Sequence, residues 1–197
     1  MQYFEDLEVG TKSSFGHYEV TREEVLEFAS KYDPQPFHLD DEAAAQTFFG
    51  RLSASGWHTC AMTMRMIVEQ FKEQQTASLG SPGIDQLRWL KPVFPGDTLR
   101  VEAELIEKRQ SKSKPSMGFT KSRQTVYNQH DEPVLEMIGN GITQVRDDCR
   151  GLFEPVGTLG FGSEEQLVAH VGVVTQFVAD ERPVVDPDAP GQQLPLL

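Results

Sequence analysis

The stretch from Ser55 to Phe71 constrains the fold more than any other part of the chain. Its apolar residues Cys60, Met64, Ile67, Val68 and Phe71 recur at helical spacing, with Ala61 filling in, and predict a helix with a broad buried stripe. A helix this apolar must lie against a large surface, and the following residues supply one. After a polar, Gly/Pro-containing loop at 76–83, the pattern switches to period two. Segments 83–91, 98–108, 118–128 and 133–145 read as four strands. In the second of them, Leu99, Val101, Ala103 and Leu105 share one face, and Arg100, Glu102 and Glu104 share the other. Phe94-Pro95-Gly96-Asp97 and Asp131-Glu132-Pro133 are turn sequences. With one more strand at 12–20 ahead of the helices, the order predicts an α+β fold, an antiparallel β-sheet packed on one long α-helix.

Between the first strand and the long helix lies a second informative stretch. Thr21 and Glu24 match a capping box, and Val25, Leu26, Phe28, Ala29 and Tyr32 follow at helical spacing. That helix runs into Asp33-Pro34-Gln35-Pro36-Phe37-His38. Each proline fixes its own φ and pushes the residue before it out of the helical region, so a stiff, extended loop is expected here. It carries one carboxylate and one imidazole, which meet only where the loop bends. A short helix, capped by Asp40, is expected over 41–49.

Charge and cysteine content narrow the class of function. The net charge of −12 argues against nonspecific nucleic-acid binding and against docking on anionic membranes. Cys60 and Cys149 are too few for a disulfide framework, which points to a reducing compartment. Met1-Gln2-Tyr3-Phe4-Glu5-Asp6 has neither the basic nor the apolar region of a signal peptide, and no run is long enough to span a bilayer. A soluble cytoplasmic protein is the expectation. Composition changes after about Arg146: residues 147–197 hold nine acidic side chains against Arg150 and Arg182, with Pro155, Pro183, Pro187, Pro190 and Pro195. Two regions are therefore expected, a folded one over 1–146 and an acidic C-terminal extension over 147–197, partly disordered. Segment 166–178 fits a helix or a strand equally.

The motif residues and the order of elements resemble the MaoC-like hydratase/dehydratase family of hotdog-fold proteins. The resemblance rests on Asp33-Pro34-Gln35-Pro36-Phe37-His38, followed by Ala43-Ala44-Ala45. It rests also on Ala54-Ser55-Gly56-Trp57-His58-Thr59, similar to the start of the family's central helix. A third stretch, Leu87 to Thr98 through Lys91-Pro92-Val93-Phe94-Pro95-Gly96-Asp97, is similar to the strand and turn that follow. The resemblance as a whole covers about residues 2–146. Gln35 stands where the family's spacer usually has Asn, and Met64 where characterised hydratases often have a serine.

The resemblance implies hydration of a trans-2-enoyl-CoA to an (R)-3-hydroxyacyl-CoA, or the reverse dehydration. Asp33 and His38 would activate the water, since a carboxylate and an imidazole can both accept a proton at neutral pH. Gly56 would complete the catalytic set, placing helix N-terminal amides where negative charge grows on the thioester oxygen. Its other reading is close helix–sheet packing. Ser55, Trp57, Pro36 and Phe37 are the expected substrate contacts. Coenzyme A enters as part of the substrate, with no metal or redox cofactor. The pairs His58/Cys60 and His38/Asp40 have metal-ligand character but lack a third ligand at recognisable spacing. Arg88, Lys91, Lys112 and Lys114 are candidates for the CoA phosphates or a solvated basic edge. A homodimer is implied, closing an open sheet edge. Two other readings are an acyl-CoA thioesterase of the same fold and a non-catalytic acyl-CoA- or lipid-binding protein, the latter favoured by Met64.

Overall fold

The computed structural model describes residues 1–146. The acidic extension at 147–197, with its segment 166–178, lies outside the described residues. After a 3-10 turn at Phe4–Asp6 come β1 (Lys12–Glu19), α1 (Arg22–Tyr32), α2 (Pro36–Leu39), α3 (Asp41–Ala45) and α4 (Gly56–Glu73). Four strands follow, β2 (Ser78–Trp89), β3 (Thr98–Gln110), β4 (Met117–Tyr127) and β5 (Pro133–Gln144). They join β1 in one antiparallel five-stranded sheet of order β1-β3-β4-β5-β2. The long helix lies in the curve of this sheet, which is the hotdog arrangement.

The core forms where α4 meets the sheet. Met62, Met66 and Ile67 pack with Leu99 and Val101 of β3, Val126 of β4, and Val134, Leu135 and Met137 of β5. Burying an aliphatic side chain of this size contributes about 1.5–3 kcal/mol. Gly16 of β1, at φ +83°, faces Met66 so closely that a Cβ would fall 2.5 Å from its sulfur. Glycine here serves both the left-handed backbone and the helix contact.

The expected stripe on α4 is corrected. Ile67 is buried and Cys60 half-buried, but Met64, Val68 and Phe71 lie on the outer side of the helix. The inward face is His58, Thr59, Met62, Thr63, Met66 and Ile67. Thr59 and Thr63 enter the core cheaply because their hydroxyls donate to carbonyls one turn back, those of Ser55 and Thr59, at 3.3 and 2.7 Å.

Several boundaries also differ from expectation. The strand expected from Gly83 begins at Ser78 and runs through Pro82, where a loop is the sequence reading. This is an edge strand with register shifts around Gly80 and Gly83, where a proline costs no ladder bond. Half of the α1 capping box forms: Thr21 Oγ1 accepts from Glu24 N–H, while the Glu24 carboxylate accepts from the Tyr18 hydroxyl. The helix after Asp40 ends at Ala45 rather than Phe49, although Asp40 caps it as expected through Ala43 N–H at 2.8 Å. At the β2–β3 connection, Phe94-Pro95-Gly96-Asp97 turns as expected, with Gly96 at φ +91° and Asp97 N–H donating to Phe94 C=O.

Candidate active site

The Asp33–His38 stretch is not extended throughout. Asp33 leaves α1 at φ −147°, and Gln35 N–H donates to Asp33 C=O across a tight turn. Pro36 then opens α2, because its fixed φ suits the first helical position and its missing N–H would lack a partner there. The helical turn Pro36–Leu39 supplies the required bend. It points His38 back towards Asp33, placing Nε2 at 3.6 Å from Asp33 Oδ2.

Each member of the pair is held from a second direction. His38 is buried, and its Nδ1 lies 2.8 Å from the carbonyl of Ser53. A carbonyl only accepts, so Nδ1 carries a proton, and in the neutral ring Nε2 is the acceptor on the side facing Asp33. The Asp33 carboxylate accepts from Gln35 Nε2 at 2.8 Å on Oδ1 and from the Ser55 hydroxyl at 2.6 Å on Oδ2. Partial burial pushes this carboxyl upward. The hydrogen bonds from Ser55 and Gln35, joined by the attraction of His38 whenever its ring is protonated, more than offset this and hold it below the usual carboxylate range. Asp33 is therefore an anion at neutral pH.

These groups open onto a cleft of about 440 Å³. Asp33, His38, Gly56, Trp57 and Phe37 line it, whereas Ser55 stands behind the wall and Pro36 is not in the lining. Gly56 starts α4 and packs under Trp89, whose indole N–H donates to Gly56 C=O at 2.9 Å. A Cβ on Gly56 would fall 2.7 Å from the Trp89 ring, so the close-packing reason for this glycine is realised.

Sequence reasoning missed the apolar half of the cleft: Phe48, Phe49, Trp89, Leu90 and Val93. The Phe48-Phe49 pair in a short polar segment is the one signal that marks it, since an exposed diphenylalanine requires a reason. Phe49 stacks near Phe37 and His38, at ring-centre distances of 5.3 and 5.9 Å. Of the four basic candidates, Lys91 borders the cleft, and its ammonium pairs with Glu132. Among the described residues, no group of His, Cys, Asp and Glu is arranged to hold a metal ion. No helix there is long and apolar enough to cross a membrane.

The sequence model of the MaoC like domain matches residues 6–127. The chain belongs to the MaoC-like family. Its MaoC-like region superposes on the crystal structure of a MaoC-like dehydratase from Rhodospirillum rubrum with a TM-score of 0.66 and 36% identity, covering 74% of this chain and 99% of that one. The (R)-hydratase from A. caviae superposes with a TM-score of 0.52 and 25% identity, over 71% and 98% of the two chains. A 3-hydroxybutyryl-CoA dehydratase from Methylorubrum extorquens is 34% identical over 110 residues, which are 53% of this chain and 64% of that protein. The MaoC-like chain thus spans slightly less than two thirds of that dehydratase.

Proposed function

We propose that this MaoC-like protein adds water to a trans-2-enoyl-CoA to give the (R)-3-hydroxyacyl-CoA, or runs the reverse dehydration. The observation that carries the reading is the pair of acceptors, Asp33 Oδ2 and His38 Nε2, 3.6 Å apart on the wall of one cleft. One water can donate to both. His38 Nε2 takes a proton as the water oxygen bonds to the β-carbon, and the π electrons move to the α-carbon and thioester oxygen. The imidazolium then returns a proton to the α-carbon, so atoms and charge balance. Asp33, held as an anion, orients the water and stabilises the imidazolium.

Gly56 places the N-terminus of α4 at the same cleft, where its positive dipole end suits the thioester oxyanion. Phe37 and Trp57, with Phe48 and Phe49, offer an apolar bed for the acyl chain, while the pair Asp33/His38 stays at the reacting carbons. The chemistry calls for no metal or redox cofactor, since both proton transfers are served by side chains. The name of the 3-hydroxybutyryl-CoA dehydratase supports an acyl-CoA substrate, and that of the (R)-hydratase supports hydration with (R) selectivity.

The same reading includes a homodimer working in the cytoplasm. The support for the dimer is the exposed side of α4, with Trp57, Met64, Val68 and Phe71, together with the edge strand β2, which exposes Leu79 and Ile84. Apolar side chains beside an unpaired strand edge are what a second copy would cover.

The test is loss of enoyl-thioester absorbance with crotonyl-CoA and with longer and branched enoyl-CoAs. Asp33→Asn and His38→Gln, each with a folded-state check by circular dichroism, are expected to lose at least about 10²-fold in kcat/KM. Release of free thiol without hydration would replace this reading with a thioesterase. Binding without either reaction would replace it with a carrier.

A further inference from the structure

Three consecutive buried residues meet the cleft, Ala54 in its wall and Ser53 and Ser55 behind it, and each uses a different polar group. The Ser53 carbonyl accepts from His38 Nδ1. Ala54 N–H donates to Val93 C=O at 2.8 Å, tying the segment to the β2–β3 connection. Ser55 uses its hydroxyl in two directions at once. It donates to Asp33 Oδ2 at 2.6 Å and accepts from Trp57 N–H at 3.2 Å as the N-cap of α4. A hydroxyl has one hydrogen, and that of Ser55 is committed to the carboxylate. The side chain is 1% exposed. It therefore has neither a donor nor a surface to offer a substrate.

We propose that Ser55 is a positioning residue, whose hydroxyl fixes the Asp33 carboxylate to the N-terminus of α4 and so locks the water-activating pair to the helix end that receives the thioester oxygen. The inference rests on the hydratase reading, and it gives Ser55 a role behind the site in place of substrate contact. Its physical content is geometric. Asp33 lies at the end of α1, and nothing in the α1 backbone sets its distance from α4. The Ser55 hydroxyl sets it, over a sequence separation of 22 residues. Because the adjacent Ser53 carbonyl orients His38, one short segment indexes both members of the pair to the same helix. A hydrogen bond from Ser55 also favours the carboxylate form of Asp33, consistent with the downward pull on that carboxyl.

The test separates the cap from the carboxylate contact. Glycine caps a helix nearly as well as serine, whereas alanine does not. Ser55→Gly therefore removes the Asp33 contact with little change in melting temperature, and Ser55→Ala removes both. In Ser55→Gly, kcat with crotonyl-CoA is expected to fall about 10- to 100-fold, as for loss of a hydrogen bond to a charged group, with KM little changed. The acid limb of the kcat/KM profile is expected to move to higher pH.

A second readout does not need turnover. The carboxyl carbon of Asp33, followed by NMR in the free protein, is expected to titrate at higher pH in Ser55→Gly than in the original chain. Unchanged kcat and an unchanged Asp33 midpoint would overturn the proposal. So would a raised KM at constant kcat, which would make Ser55 a substrate contact. If the original chain hydrates no enoyl-CoA, the hydratase reading falls, and the Asp33 midpoint still decides whether Ser55 holds the carboxylate.

Discussion

The two faces of α4 are both mixed in polarity, although one is buried and the other is not. The inward face carries His58, Thr59 and Thr63 among Met62, Met66 and Ile67, while the outward face carries Trp57, Met64, Val68 and Phe71. Arg65, Glu69 and Lys72 lie among those outward apolar residues, with Arg65 paired to Glu69. The difference teaches that apolar character by itself does not select the buried face of this helix, since threonines and a histidine are buried while Met64, Val68 and Phe71 are not. Threonine enters the core because the helix itself supplies an acceptor one turn back. His58 enters with its ring stacked on Phe28, centres 4.6 Å apart and planes within 8°. Met64, at 47% exposure, lies with Val68 and Phe71 on the side of the helix opposite the buried residues.

That contrast breaks first, and hardest, at the methionines. Met66→Ala empties a position packed on Gly16 and is expected to cost about 2–5 kcal/mol in urea unfolding. Met64→Ala, measured at protein concentrations low enough to keep chains apart, is expected to stay within about 0.5 kcal/mol. Equal losses at the two positions would show that the faces are not distinct.

The next effect is a pH dependence on the inward face. Burial holds His58 below the usual imidazole range, only partly countered by the charge of Glu24. The unfolded chain then binds a proton that the folded chain refuses. The contribution of neutral His58 is complete above the unfolded-state value of about 6.5 and is lost as pH falls from there towards the lower folded-state value. His58→Leu is expected to flatten the slope of melting temperature against pH below about 6.5. An identical slope in both proteins would remove His58 from the explanation.

The smallest effect on monomer stability tests the outward face. Met64→Lys and Val68→Lys are expected to shift unfolding by no more than about 0.5 kcal/mol under monomeric conditions. In light scattering, the same variants are expected to lose the proposed dimer. A dimer that survives both charges would place the seam elsewhere.

The site divides in a similar way between what its residues announce and what only packing reveals. Asp33 and His38 stand out because a carboxylate and an imidazole bracket two prolines between helices. Their meeting, however, required Pro36 to start a helical turn, and the same residue that reads as a breaker of α1 is the first residue of α2. Gly56 was visible at the start of the long helix, yet the ring that demands it, Trp89, is 33 residues away. Phe48 and Phe49 lie in no periodic pattern, so only the folded cleft shows that both line it and that Phe49 lies against His38.

From local order alone, the chain determines an α+β domain with one strand, helices and four strands, because period-two and helical spacing are properties of neighbours in sequence. It also determines the turn at Pro95-Gly96 and the caps at Thr21 and Asp40, which are satisfied within a few residues. Tertiary structure alone decided which face of α4 turns inward, that an edge strand tolerates Pro82, and that Ser55 reaches Asp33 rather than the cleft. Each of those outcomes depends on partners distant in sequence, and local spacing carries no information about where such partners come to lie.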